Sequence, residues 1–117
     1  MKTRKMTLLV VDDDPSILRL ISRVLERRYA DRFSSVAFEY PRDAVRWLEQ
    51  HCCDLVFSDI EMPELDGLEV MRLAKRRNAW TQVVFITGNS TFHRLSEAVE
   101  GGAAIAHRLV LQIAFPA

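Results

Sequence analysis

Cysteine is scarce in this sequence of 117 residues, and the two that occur, Cys52 and Cys53, are adjacent. Adjacent cysteines build no framework of disulfide bridges, and neither a CxxC pair nor a Cys/His spacing typical of a metal site is present. Long apolar runs are also lacking. The first one, residues 8–11, is too short for a signal peptide, and no stretch approaches the length of a membrane span. We therefore expect a cytoplasmic domain without a membrane segment.

An excess of charge of either sign is lacking too, since 16 basic residues balance 16 acidic ones. A balanced charge gives no long-range field that attracts nucleic acid, so we expect no direct nucleic-acid binding. The length suits a single domain with one two-sided core, and we assign residues 1–117 to it. Trp47 and Trp80 are expected to be packing residues of that core.

Strand and helix patterns alternate along most of the chain. Apolar or alternating runs typical of strands occupy residues 8–11, 34–40, 55–57 and 83–86. Apolar residues at helical spacing occupy residues 15–28, 43–50, 68–78 and 92–99. Residues 103–111 form a last, ambiguous apolar stretch. This order predicts an α/β fold, in which a parallel sheet carries helices on both faces.

Polar side chains stand where three of these strands end. Asp12 and Asp13 follow the first strand, Asp59 follows the third, and Thr87 ends the fourth. The next residue, Asp14, precedes a proline, and this pair is typical of a helix start. The carboxyl ends of parallel strands share one edge of the sheet, where ligands bind in open α/β folds. We therefore expect Asp12, Asp13, Asp59 and Thr87 to converge on one pocket.

The chemistry of such a pocket follows from its carboxylates. Carboxylates held close together are costly unless a cation neutralises them, and three of them suit the oxygen coordination of Mg²⁺. A carboxylate can also attack phosphorus and form an acyl phosphate, because the metal reduces the repulsion between two anions. A nearby hydroxyl such as that of Thr87 could then hydrogen-bond a phosphoryl oxygen.

Three segments of the sequence resemble the receiver domain of two-component response regulators. They are Val-Val-Asp-Asp-Asp-Pro at 10–15, Asp-Ile-Glu-Met-Pro-Glu-Leu-Asp-Gly at 59–67 and Val-Phe-Ile-Thr-Gly at 84–88. The likeness covers roughly residues 7–106. It implies the flavodoxin-like (CheY-like) fold, a doubly wound parallel sheet of five strands in the order 2-1-3-4-5.

The same resemblance implies a role for each residue of the pocket. Asp59 would be the phosphoacceptor, and Asp12, Asp13 and Asp59 would bind Mg²⁺ together with the backbone carbonyl of Glu61. Thr87 would be the switch hydroxyl. The donor would be a phosphohistidine on a sensor histidine kinase or a histidine phosphotransfer protein. The chain would be a phosphorelay regulator and not an enzyme, apart from slow self-catalysed phosphorylation and dephosphorylation.

The sequence departs from that family near its end. Leu109 and Val110 stand where the family usually has a Lys-Pro pair, and no lysine follows Lys75. Only His107 and Arg108 are nearby cations, and either would replace the lysine only after a change of strand register.

The stretch that ends the sequence, residues 107–117, is atypical for the same family. The eight residues after Leu109 span about 12 Å as a helix, so we expect the last helix to be short or missing. A bare apolar sheet face would favour a homodimer or a swapped oligomer.

Two other interpretations stay open. Residues 12–16 also fit the start of haloacid-dehalogenase-type phosphatases, with Asp12 as nucleophile and Asp14 as acid/base, although Asp59 would then have no role. The second is a pseudo-receiver that binds a partner without phosphorylation. The missing lysine favours it, whereas the retained carboxylates argue against it.

Overall fold

The computed structural model describes residues 4–88 and 90–107, in which strands and helices alternate strictly. The strands are β1 (Met6–Val11), β2 (Phe33–Phe38), β3 (Leu55–Ser58), β4 (Gln82–Thr87) and β5 (Ala104–His107). The helices are α1 (Pro15–Arg28), α2 (Pro41–Leu48), α3 (Gly67–Arg77) and α4 (Phe92–Glu100). Helix α2 begins two residues before the predicted start, because a proline, whose fixed φ suits the first helical turn, opens it.

The five strands form one parallel sheet in the order β2-β1-β3-β4-β5. This order confirms the flavodoxin-like fold predicted from the sequence, and β2 lies at the edge that its alternating pattern indicated. Parallel neighbours require crossover connections, which the helices provide. None of the described helices combines the length and the apolar character that a membrane crossing requires. The predicted shortening of the last helix concerns residues 108–117, which lie outside the described residues.

The core has two layers because the strands are covered on both faces. In β1, Leu8 and Val10 point to the face covered by α1, and Leu9 and Val11 point to the face covered by α2, α3 and α4. All four side chains are buried. This alternation explains why residues 8–11 of β1 are apolar without interruption: here neither face of the strand meets water.

The two tryptophans have different environments. Trp47 packs against the core and stacks on His51, with ring centroids 4.7 Å apart. Trp80 is 86% exposed, so its predicted packing role was wrong. The turn between α3 and β4 directs Trp80 outward and buries Thr81, whose hydroxyl donates a hydrogen bond of 2.6 Å to the carbonyl of Cys53.

Candidate functional site

Three carboxylates meet at the edge of the sheet where the strands end. Asp12 and Asp13 follow β1 and Asp59 follows the neighbouring β3, so one oxygen of each lies within 4.8 Å of the other two. We call these three residues the acidic cluster. Asp12 and Asp59 are buried, with 1% and 7% of their surface exposed, and Asp13 is exposed. Burial makes a charged carboxylate costly, so the cluster suits a hard divalent cation with oxygen ligands.

The turn after β1 gives its aspartates different local partners. The amide of Asp12 donates to the carbonyl of Phe38 at 3.2 Å, and its Oδ1 accepts from the amide of Asp14 at 2.9 Å. Asp14 in turn accepts from the amide of Ser16 at 2.9 Å and caps α1, which confirms the helix start predicted at this residue. Asp13 presents its carboxylate at the exposed side of the cluster.

Asp59 opens the β3–α3 loop, residues 59–66, and backbone groups hold it in place. Its amide donates to the carbonyl of Val11 at 3.0 Å, and its Oδ1 accepts from the amide of Glu61 at 3.3 Å. The loop then folds back, since the amide of Gly67 donates to the carbonyl of Ile60 at 2.7 Å. A β-carbon at Gly67 would lie 2.1 Å from the carbonyl oxygen of Asp59, so only glycine fits there.

Thr87 and Glu61 lie at the predicted edge of the sheet. The register pairs Ser58 with Phe85, so buried Thr87 extends past the end of β3 on the side from which Asp59 emerges. The backbone of His107 pairs with Thr87 and reaches the same edge, whereas Arg108 lies outside the described residues. The roles of Thr87 as switch hydroxyl and of the Glu61 carbonyl as metal ligand stay predictions.

Sequence reasoning missed one charged residue at this edge, Arg94 in the first turn of α4. Its guanidinium pairs with the carboxylate of Asp66, and its Nε lies 3.5 Å from Oε1 of Glu61. The sequence did contain a signal. A cation in the first turn of a helix is repelled by the positive end of the helix dipole. A basic residue at this position therefore predicts acidic partners on another element.

A cleft of about 600 Å³ opens beside the acidic cluster. Its wall includes Asp13, Tyr40 and Arg42, and Glu64 from the β3–α3 loop closes one side. Nε of Arg42 lies 2.8 Å from Oε2 of Glu64. A hydrogen bond with Glu39, and the negative charge of that residue, raise the pKa of Tyr40, which stays protonated at neutral pH. The cleft gives solvent access to the exposed side of the cluster.

Comparison with known proteins decides the family. Residues 8–106 match the family model of the response regulator receiver domain. The chain belongs to this family. Receiver domains are the regulatory domains of two-component systems, so the acidic cluster lies in a domain of signal transduction.

Relatives of known function contain this receiver domain as a minor part. The DNA-binding transcriptional regulator NtrC of Proteus hauseri is 32% identical over 94 residues, which are 80% of this chain and 19% of that protein. The transcriptional regulatory protein FlgR of Helicobacter pylori is 32% identical over 97 residues, which are 83% of this chain and 24% of that protein. The chain therefore spans about a fifth to a quarter of the length of these relatives.

A solved structure shows the same fold. The crystal structure of a CheY-like response regulator receiver domain protein from Methanospirillum hungatei superposes with a TM-score of 0.80 at 20% sequence identity. The superposition covers 95% of this chain and 92% of that chain. The described strands and helices thus have the same fold as that receiver domain.

Proposed function

We propose that this receiver domain, residues 1–117, accepts a phosphoryl group on Asp59 in the cytoplasm, with Mg²⁺ as cofactor. The donor is a phosphohistidine of a sensor histidine kinase or a histidine phosphotransfer protein. The observation that carries the proposal is the convergence of Asp12, Asp13 and Asp59 within 4.8 Å at the carboxyl edge of a receiver sheet. The domain is a regulatory phosphoacceptor and not an enzyme with an external substrate to turn over.

The acidic cluster fits the metal that this chemistry requires. Its three carboxylates, together with the backbone carbonyl of Glu61, would hold Mg²⁺, which supplies positive charge against the repulsion between a carboxylate and a phosphoryl group. The amides of Asp14 and Glu61 donate to Oδ1 of Asp12 and of Asp59, respectively, at 2.9 and 3.3 Å. These two hydrogen bonds orient the carboxylates before a ligand arrives.

The transfer step uses the carboxylate of Asp59 as nucleophile. One of its oxygens attacks phosphorus, and the O–P bond forms as the N–P bond of the phosphohistidine breaks. The imidazole nitrogen leaves with the electron pair of that bond and is protonated from solvent. The hydroxyl of Thr87 donates a hydrogen bond to a phosphoryl oxygen, so that β4 senses the modification.

Intact-mass measurement tests this proposal directly. The protein is incubated with Mg²⁺ and acetyl phosphate, and an Asp59→Asn variant, which keeps the shape of the side chain, serves as the control. We expect the wild type to gain the mass of one phosphoryl group and the variant to gain none. A mass gain that persists in Asp59→Asn would show that another residue is the acceptor. Asp12, the nucleophile in the phosphatase interpretation, would be the next candidate.

A pseudo-receiver is the second candidate, because no lysine follows Lys75 in the sequence. In that case neither protein gains mass, although the fold and its partner surfaces are intact. The phosphatase interpretation has less support, since the carboxylate of Asp14 caps α1 by accepting from the amide of Ser16 and is thereby held away from an acid/base role.

A homodimer, or an oligomer formed by exchange of an element, is a further part of the proposal. Val99 of α4 and Ile105 of the edge strand β5 are exposed apolar side chains on neighbouring elements. Their burial in a second copy would remove apolar surface from water. Sedimentation velocity over a hundredfold concentration range should show a second species that Val99→Glu removes, and a monomer throughout would contradict this part.

A further inference from the structure

Arg94 joins α4 to the β3–α3 loop through two carboxylates. Its guanidinium pairs with Asp66, and its Nε lies 3.5 Å from Oε1 of Glu61. The side chains of Arg94 and Asp66 are 38% and 28% exposed, whereas those of Arg42 in α2 and Glu64 in the same loop, which also pair, are 69% and 61% exposed. Partly buried ion pairs are screened less by salt and water than exposed ones. The charge of Arg94 therefore acts on neighbouring charged groups more strongly than that of Arg42 does.

Both partners of Arg94 border the phosphoacceptor. Glu61 follows Asp59 by two residues, and its amide donates to Oδ1 of Asp59 at 3.3 Å. Asp66 precedes Gly67, which packs directly on the carbonyl of Asp59. The two carboxylates thus add negative charge to an edge that already holds the acidic cluster, and Arg94 is the cation that pairs with both of them.

The position of Arg94 within α4 is unfavourable by itself. Its amide donates to Oγ1 of Thr91, the N-cap, at 3.3 Å, so Arg94 lies in the first helical turn, which contains no acidic residue. The helix dipole repels a cation there. Glu61 and Asp66 compensate this cost from a different element, which links the start of α4 to the charge at the phosphoacceptor.

We propose that Arg94 is a positioning residue that sets the electrostatic balance of the phosphoacceptor site from α4. By neutralising Glu61 and Asp66, its guanidinium limits the negative field that an anionic phosphodonor meets at Asp59. This inference rests on the proposed function. Without Arg94, the two carboxylates attract Mg²⁺ more strongly and repel the donor more strongly. Loss of Arg94 should thus strengthen Mg²⁺ binding and slow phosphoryl transfer, a combination that a general loss of structure would not produce.

The experiment compares Arg94→Gln, Arg94→Lys and Arg72→Gln with the wild type. Arg72 is the matched control because it also pairs with two carboxylates, those of Glu69 in α3 at 2.8 Å and Glu97 in α4 at 3.9 Å, and has no ion pair to the described residues of the loop. Calorimetric titration with Mg²⁺ alone gives the metal affinity. Mass spectrometry at saturating Mg²⁺ gives the initial rate of phosphoryl gain from acetyl phosphate.

We expect Arg94→Gln to bind Mg²⁺ about three to ten times more tightly and to gain the phosphoryl group more slowly by a similar factor. Arg94→Lys should keep the Mg²⁺ affinity and the rate of phosphoryl gain close to those of the wild type, and Arg72→Gln should leave both unchanged. Added salt should shrink both differences because it screens the field. Equal or weaker Mg²⁺ binding by folded Arg94→Gln, or the same shifts in Arg72→Gln, would overturn the inference.

A second variant covers the case in which Arg94→Gln does not fold. Glu61→Gln removes one of the two carboxylates that Arg94 balances, so it should shift both values the other way, to weaker Mg²⁺ binding and faster phosphoryl gain. Tighter or equal Mg²⁺ binding by Glu61→Gln would contradict the inference. Because the Mg²⁺ titration requires no phosphoryl transfer, a wild type that gains no mass would contradict the proposed function, and the effect of Arg94 on Mg²⁺ binding would still be decided by the titration.

Discussion

At Gly67 the β3–α3 loop approaches Asp59 so closely that no side chain fits. An added β-carbon would lie 2.1 Å from the Asp59 carbonyl oxygen, and backbone atoms cannot give way there. We expect Gly67→Ala to lower the free energy of unfolding by about 1–3 kcal/mol, since overpacking displaces the backbone, and to weaken Mg²⁺ binding by moving Asp59. Urea unfolding and Mg²⁺ titration measure the two effects.

Gly101→Ala is the matched control for that substitution. The nearest atom to its added β-carbon is the terminal Cε of Met71, at 2.6 Å, and a flexible side-chain end moves aside at little cost. We therefore expect Gly101→Ala to be milder and to leave Mg²⁺ binding unchanged. Equal losses in both variants would show that the contact with Asp59 is not what requires glycine at position 67.

The two adjacent cysteines should differ sharply in reactivity. Cys52 is exposed, whereas Cys53 is buried, and desolvation of the thiolate, with a smaller effect of the Asp54 charge, raises the pKa of Cys53 from 9.0 to about 12. We expect iodoacetamide at pH 8 to modify Cys52 in the native protein and Cys53 only after unfolding, because the thiolate is the reactive form. Peptide mapping of the alkylated protein checks this.

The raised pKa of Cys53 also implies a dependence of stability on pH. Above pH 9 the unfolded chain loses the Cys53 proton while the folded protein keeps it up to about pH 12. The unfolded state then binds fewer protons, so the free energy of unfolding falls as the pH rises through this range. A Cys53→Ala variant should show a weaker decline between pH 9 and 11, and an identical decline would place the titrating group elsewhere.

At the scale of single elements, most of the fold was predictable from the sequence because its signals are local. The apolar run of β1 is followed by aspartates, and the side chain of Asp14 caps α1 as predicted. Trp80 was not predictable, since hydrophobicity alone does not say which way a turn faces. Only the structure shows that Thr81, a smaller and more polar residue, takes the buried place beside it.

The candidate site was only partly predictable from the sequence. Asp12, Asp13 and Asp59 could be grouped because each follows a strand, and parallel strands end at one edge. Arg94 belongs to the same edge, but it reaches Glu61 and Asp66 from a helix, through side chains whose direction depends on the packing of α4. Contacts of this kind join residues that are roughly 30 positions apart in the chain, and no periodicity in the sequence reports them.

Two substitutions at Asp14, the N-cap of α1, distinguish a structural role of this residue from a chemical one. Its Oδ1 accepts from the amide of Ser16 at 2.9 Å, so Asp14→Ala should cost about 1 kcal/mol of stability. Asp14→Asn keeps a capping oxygen and removes the carboxylate. We expect that variant to match the wild type both in thermal unfolding and in phosphoryl gain from acetyl phosphate. A folded Asp14→Asn protein without phosphoryl gain would revive the phosphatase interpretation.

For the whole molecule, we expect the acidic cluster to couple metal binding to folding. Its three carboxylates come together through the pairing of β1 with β3, so we expect Mg²⁺ to bind the folded state and to stabilise it. At a concentration 100 times its dissociation constant, the ion should add about 2.7 kcal/mol to the free energy of unfolding. Thermal unfolding with increasing MgCl₂, at constant ionic strength, measures this increment.

Asp13→Ala should abolish the stabilisation by Mg²⁺ without damaging the fold, because Asp13 is the exposed member of the acidic cluster. Asp31→Ala is the matched control, since this exposed aspartate lies in the turn between α1 and β2, at the opposite edge of the sheet. We expect Asp31→Ala to respond to Mg²⁺ as the wild type does. If Asp13→Ala kept the full response, the ion would be bound elsewhere, and the convergence of the three carboxylates would not be a metal site.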